Sequence, residues 1–469
     1  MSIAKEILAA IGMPESLDTP LGQFGFHDGL PTAESVDGLY DALDLIRAVE
    51  AFLVAMPGAS LAAMRAGLRN VGVTSARQIG ITDPRLNSTS LYLTPNTDTT
   101  YGHTFLDLDT DGPTVVEVPP NSLCVVDDFW FRYVTDLGLA GPDQGRGGKY
   151  LFLPPDHEDE VPDGYYTFRC PTFTNWAVFR ALDGVEAVRQ VRVYPLAQAA
   201  YPPPNEFVDL ADRPHNTVHA NDATFYDEVD VVVQEEPLES LDPERRGILA
   251  SIGIVKGDVF GPDHRMRAIL ATAAPLGAGI ARALAFRPRD PHAYYYPDSS
   301  WKRIFVGGSH EFLSEGARLL DARVMFHHLA TVVTPAMAAS PVGTGSAYAY
   351  TAEDDEGRWL DGSRSYRLRL PRHVPAKTFW SVTVYDCQTR SLLVTDNPYP
   401  SVSSLSGTVS ANADGTTDVF FGPTAPPGRE PNWIQTVPGK HWFTMLRLYG
   451  PLQPWYDQTW RPGEIERTG

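Results

Sequence analysis

The feature that most constrains this chain is a hydrophobic period that changes three times along it. Over residues 33–70, Leu39, Leu43, Ile46, Val49 and Leu53 recur at three- and four-residue steps, the spacing of one helix face, and Thr32 stands where an N-cap belongs. Pro57 and Gly58 interrupt the pattern, so the expectation is a helix, a turn and a second helix. From about 90 to 195 the period becomes two. "TVVEVP", "CVVDDFWFRYV", "KYLFLP", "YYTFRC" and "WAVFRAL" are short β-branched and aromatic runs between turn clusters. From about 222 to 340 the pattern is helical again, with Asp263 and Ser314 as expected caps. It then returns to strands such as "TFWSVTVYD" and "WFTMLRLYG".

No βαβ alternation is present, so a parallel doubly wound sheet is excluded and the expected class is α+β. The expected units are an N-terminal helical segment (1–75), a β-sandwich or jelly-roll-like domain (76–220), a mostly helical insertion (221–342) and a second such β domain (343–469).

Charge narrows the partners. With 58 acidic against 38 basic residues, the net charge of -20 repels phosphate backbones and anionic lipid, so neither nucleic acid nor a membrane surface is an expected partner. The expected partners are a small-molecule ligand and a second copy of the chain, as a homodimer. The N-terminal apolar run is broken by Gly12 and Pro14, and no later run reads as bilayer-spanning; a cytoplasmic protein is expected. Cys124, Cys170 and Cys387 are far apart and form no CxxC, which points to reduced spectator thiols.

Three motifs fail on spacing. "GPDQGRGGKY" (141–150) has Asp143 where a phosphate loop needs glycine and Tyr150 where it needs Ser or Thr, leaving a ligand-adjacent loop or a hairpin turn. His327 and His328 are adjacent, about 100° apart on a helix, whereas helical metal ligands prefer a spacing of four. "AEDDEGRW" lacks the twelve-residue calcium-loop pattern. No metal and no cofactor are expected.

The chemistry-bearing constellation lies in the first β region. In "LTPNTDTTYGHTFLDL" (93–108) an Asn, an Asp, a run of threonines and a Tyr stand at the entrance to an apolar strand. Asn96 and Asp98 can serve the turn after Pro95; Tyr101 and the hydroxyls suit a pocket mouth. Read as strands, "DFWFRYV" puts Trp130 and Arg132 on one face and "NWAVFRAL" puts Trp176, Val178 and Arg180 on one face. These arginines either face a ligand or sit in ion pairs with Asp98, Asp127, Asp128 or Asp136. The expected catalytic residues are Asp98, Tyr101 and Arg132, and the expected substrate-binding residues are Asn96, Trp130, Lys149, Tyr150, Trp176 and Arg180. A carboxylate or phenol as acid/base beside cations that stabilise an oxyanion suits a lyase or hydrolase of a polar small molecule. The alternative is a non-catalytic small-molecule or saccharide binding protein, and a third reading is an assembly protein.

Several long motifs also carry a family resemblance. "LTPNTDTTYGHTFLDL", "GPDQGRGGKYLFLPP" and "SIGIVKGDVFGPD" resemble the motifs of the domain family of unknown function 1254. "FWSVTVYDCQTRSLL" and the segment "DVFFGPTAPPGREPNWIQTVPGKHWFTMLRLYGPLQPWYDQTWRPGEIE" resemble its C-terminal companion, family 1214. The resemblance implies two β-sandwich or jelly-roll domains joined by a helical insertion. Members of the family look exported, and this chain departs from them in lacking a clear signal peptide.

Overall fold

Proline inside a helix removes one backbone hydrogen bond, yet Pro57 does not end the first long helix. In the computed structural model, which describes residues 5–181, 184–339 and 341–468, a single helix runs from Ala33 to Asn70. The expected turn at Pro57–Gly58 is therefore absent. The break costs roughly 3 kcal/mol in an isolated helix, but Ala55 to Arg65 is buried without interruption, and that burial outweighs it. Gly58 has a packing role: a Cβ there would lie 2.7 Å from the Trp130 ring. Thr32 caps the helix by accepting from the Ser35 amide.

Asp263 likewise caps His264–Phe286 by accepting from the Met266 amide. Ser314 caps nothing. It lies in a two-residue strand, and the next helix is Leu320–Leu329. By length and composition Ala33–Asn70 and His264–Phe286 could each cross a bilayer, contrary to the sequence reading. The inferred break at Pro57 had hidden the first. Here they pack against each other, with 61% and 39% of their most apolar windows buried.

The chain is α+β, with two pairs of sheets around a helical layer. A six-stranded sheet has the order Glu206–Asp209, Gln78–Ile81, Gly102–Asp107, Thr174–Phe179, Leu123–Asp128, Tyr133–Gly138. One face (Leu106, Val126, Ala177, Phe179) shares an apolar cluster with the four-stranded sheet of Tyr166–Arg169, Gly148–Leu153, Thr114–Val118 and Arg192–Pro195. The other face (Phe105, Val125, Trp176, Val178) joins a large cluster containing the helices.

The C-terminal half repeats the scheme. A five-stranded sheet runs Lys302–Arg303, Ser346–Thr351, Trp442–Pro451, Ala376–Asp386, Ser401–Ser403. Trp442, Leu446 and Leu448 face a second four-stranded sheet, while Phe443 and Met445 face the helical cluster. Strand alternation thus gives each large sheet one face toward the middle of the molecule. A small three-stranded sheet spans Ser16 to Pro31 within the segment expected to be helical. The three cysteines are free.

Candidate functional site

The inward faces of the two large sheets do not touch everywhere, and where they part they leave a concavity of about 790 Å³, open mouth included. Its polar wall begins with "TPNTDTTY". Asn96 is buried, and its Oδ1 accepts from the amides of Asp98 (2.9 Å) and Thr99 (3.0 Å), which closes the turn and fixes the orientation of the amide. Its Nδ2 donates to the Tyr101 hydroxyl. With that lone pair occupied, the Tyr101 proton is left to point elsewhere.

Beyond Tyr101 the strand alternates, so Tyr101 and His103 share a face. His103 is sandwiched in parallel between Tyr101 (5.7 Å) and Trp176 (5.8 Å). Burial, reinforced by His215, pushes the His103 imidazole down to about 3, so it is neutral. Trp176, Val178 and Arg180, expected on one strand face, all line the concavity. The Arg180 guanidinium lies 5.7 Å from the Tyr101 ring centroid. Burial disfavours its charge, but the surrounding Tyr101, Tyr348 and Tyr449 phenols outweigh this and hold its pKa above the ordinary value.

The opposite wall comes from strands that sequence reasoning did not connect to the site. Arg447, buried in Trp442–Pro451, donates to the Thr94 carbonyl (2.6 Å) and to the Tyr385 hydroxyl (2.5 Å), which in turn donates to the Pro95 carbonyl (2.7 Å). Thr94, at φ +37°, donates its amide to the Arg390 carbonyl and its hydroxyl to the Leu329 carbonyl. The polar stretch at the strand entrance is therefore stitched to residues more than 230 positions away. Arg447 is held above its ordinary pKa, since the Tyr385 and Tyr449 phenols outweigh burial. Tyr348 and Tyr449 complete that wall.

Asp98 leaves the same turn but does not line the concavity. Its Oδ2 and the Tyr449 hydroxyl are both buried without a partner among the described residues. Burial, with the Asp98 charge behind it, pushes the Tyr449 phenol well above its ordinary pKa.

Of the expected residues, Asn96, Tyr101, Trp176 and Arg180 come together, and Asp98 stands next to them. Trp130, Arg132, Lys149 and Tyr150 do not. The alternation assumed for "DFWFRYV" fails because one strand ends at Asp128 and the next begins at Tyr133. Phe131, at φ +58°, turns the chain between them, and the Asp128 carboxylate accepts from the Trp130 and Arg132 amides. Arg132 closes an ion pair with Asp128 at 2.6 Å. Trp130 donates to Ser240 instead.

Lys149 is half-exposed on the outer face and pairs with Glu117 at 3.1 Å. Tyr150 is buried between the first pair of sheets, where it donates to Asp143. That carboxylate also accepts from the Gly138 and Gly147 amides, so "GPDQGRGGKY" is a turn organised on Asp143. His327 is buried against Phe131, Phe312 and Phe326. Among the described residues, no group of three or more His, Cys, Asp or Glu is arranged to hold a metal ion.

Residues 77–199 match the family model described as Protein of unknown function (DUF1254), and residues 345–453 match that described as Protein of unknown function (DUF1214). The chain thus carries one domain of each family, the second C-terminal to the first, and the concavity draws on both matched regions as well as on Met64 and the 304–337 segment between them. No curated protein matches. Among solved structures, the VPA0106 protein from Vibrio parahaemolyticus is similar, at 19% identity over 91% of this chain and 100% of that one, with a TM-score of 0.53. An uncharacterised protein from Burkholderia cenocepacia aligns over 92% and 95% of the two chains at 14% identity and a TM-score of 0.41. The first likeness concerns the fold alone.

Proposed function

We propose that this protein is an enzyme of the lyase or hydrolase type acting on a polar, carboxylate-bearing small molecule in the concavity between its two β regions. The observation that carries the reading is the joint presence of the Arg180 guanidinium and the Tyr101 hydroxyl on its wall, the phenol oriented by Asn96. Arg180 would bind the carboxylate or a developing oxyanion, and Tyr101 would transfer a proton. Asp98, adjacent and partly unpaired, would act as the base, reached through a water or by movement of its turn. The wall offers phenols, guanidiniums, hydroxyls and one imidazole, a donor set suited to proton transfer and anion binding without a metal or nucleotide. We read each pair of sheets as a β-sandwich of jelly-roll kind, which would make the site a junction between sandwiches.

One observation favours a second reading, a non-catalytic small-molecule or saccharide binding protein: Asp98, the carboxylate that would serve as base, does not itself line the concavity. A thermal-shift screen over organic acids and sugars separates the two. On the enzyme reading, a carboxylate hit raises Tm, Arg180→Gln loses the shift, and Tyr101→Phe keeps it while abolishing turnover of the hit. A hit that binds through Arg180 and is never turned over selects the binding protein. A hit indifferent to both substitutions refutes the site.

A further inference from the structure

The turn that removes Trp130 and Arg132 from the first concavity delivers them to another. A second hollow of about 660 Å³, open mouth included, is lined by four arginines: Arg132, Arg245, Arg318 and Arg323. Phe131 forms part of its wall and meets Trp176, a wall residue of the first site, edge-on at 5.8 Å. The four guanidiniums come from four places: the 129–132 turn, helix Pro243–Ser251, the 310–318 loop and helix Leu320–Leu329. Their convergence is a product of the fold.

Two of the four charges are balanced locally. Arg132 pairs with Asp128 at 2.6 Å and Arg245 with Asp242 at 3.2 Å. Among the described residues Arg318 and Arg323 form no ion pair, and Arg318 donates only to the Glu311 carbonyl. Arg323 is 6% exposed and its Nε is buried without a partner. Burial, then Arg245 and Arg318, push the Arg323 guanidinium down to about 10; Glu50 and Asp242 pull the other way without compensating. Among the described residues Glu311 is the one acidic side chain on the wall. Such an excess of cation runs against the net charge of -20 of the chain.

Two unpaired guanidinium forks in a hollow walled by Trp130, Phe131 and Phe312 match an anion with oxygens to share. We propose that this hollow binds a small oxyanion of at least two negative charges, a phosphate-type or polycarboxylate group, held by Arg318 and Arg323. A macromolecular polyanion is disfavoured because the rest of the chain repels it.

Isothermal titration of the full chain with inorganic pyrophosphate in one arm and citrate in the other distinguishes the two chemistries. The expected result is binding in at least one arm, weakened by added salt. Arg323→Gln and Arg318→Gln should each weaken it by about ten-fold or more. Arg146→Gln, which removes an exposed cation from the 141–150 turn, should leave it unchanged. If Arg323→Gln does not fold, Arg318→Gln, only half-buried at the rim, carries the test. Absence of binding in both arms, or binding that Arg318→Gln leaves intact, overturns the proposal.

Discussion

Replacing Arg447 by Met keeps the length of the side chain and removes its charge, so it isolates what the guanidinium does for the "TPNTDTTY" turn. The wild-type side chain is 4% exposed and makes two charge-assisted hydrogen bonds, to the Thr94 carbonyl and the Tyr385 hydroxyl. Each is worth roughly 1.5–3 kcal/mol, but removing a guanidinium that has no carboxylate in contact also recovers part of its burial cost. Tyr385 keeps its bond to the Pro95 carbonyl, whereas the Thr94 carbonyl loses its Arg447 donor. The net destabilisation is therefore about 2–4 kcal/mol. At roughly 2 °C per kcal/mol for a large cooperative unit, Tm should fall by about 4–8 °C. Hydrogen exchange should locate the loss, with amides of 91–101 exchanging faster while those of the outer four-stranded sheets do not change. Arg447→Lys should recover no more than half, because a point charge cannot hold both acceptors. If Arg447→Met leaves Tm within about 1 °C and the turn equally protected, the clamp is wrong.

Other consequences test separate parts of the account. Arg132→Ala should leave binding in the first concavity unchanged while costing about 1–3 kcal/mol, since the fully buried Asp128 keeps its backbone donors but loses its counter-ion; thermal melts and ligand titration check both halves. Gly58→Ala should lower Tm, because the new Cβ would sit 2.7 Å from Trp130 in the continuously buried stretch Ala55–Arg65; a 1–3 kcal/mol loss is the expected order. Burial pushes the Glu228 carboxyl up to about 8. Its folded form therefore holds a proton that the unfolded chain has lost, so stability should fall as pH rises from about 4.5 to about 8. Glu228→Gln should flatten that slope in melts across the same range.

What could be read from sequence was whatever stayed regular. Trp176 and Val178 lie on the uninterrupted strand Thr174–Phe179 and Arg180 follows it directly, so period-two reasoning placed all three on one face and all three line the concavity. The same reasoning failed at Arg132, four residues after Asp128, because Phe131 adopts a positive φ that nothing in its residue type announces. Pro57 misled for the opposite reason: a breaker in local terms was overridden by the continuous burial of Ala55 to Arg65 around it. The far wall was missed although it left a trace. In "WFTMLRLYG", Arg447 and Tyr449 share a strand face with Phe443 and Met445, and a charge in the middle of an otherwise apolar inward face has to be used by something. Its partner Thr94 lies 353 residues earlier and could not have been paired with it by spacing.

The most direct measurement is a crystal structure of the wild-type protein with the best carboxylate hit from the screen. The account predicts ligand density between the two β regions, with an oxygen within hydrogen-bond reach of Arg180 and another of Tyr101. A hit bound elsewhere, with Arg180 and Tyr101 untouched at saturating ligand, would contradict it.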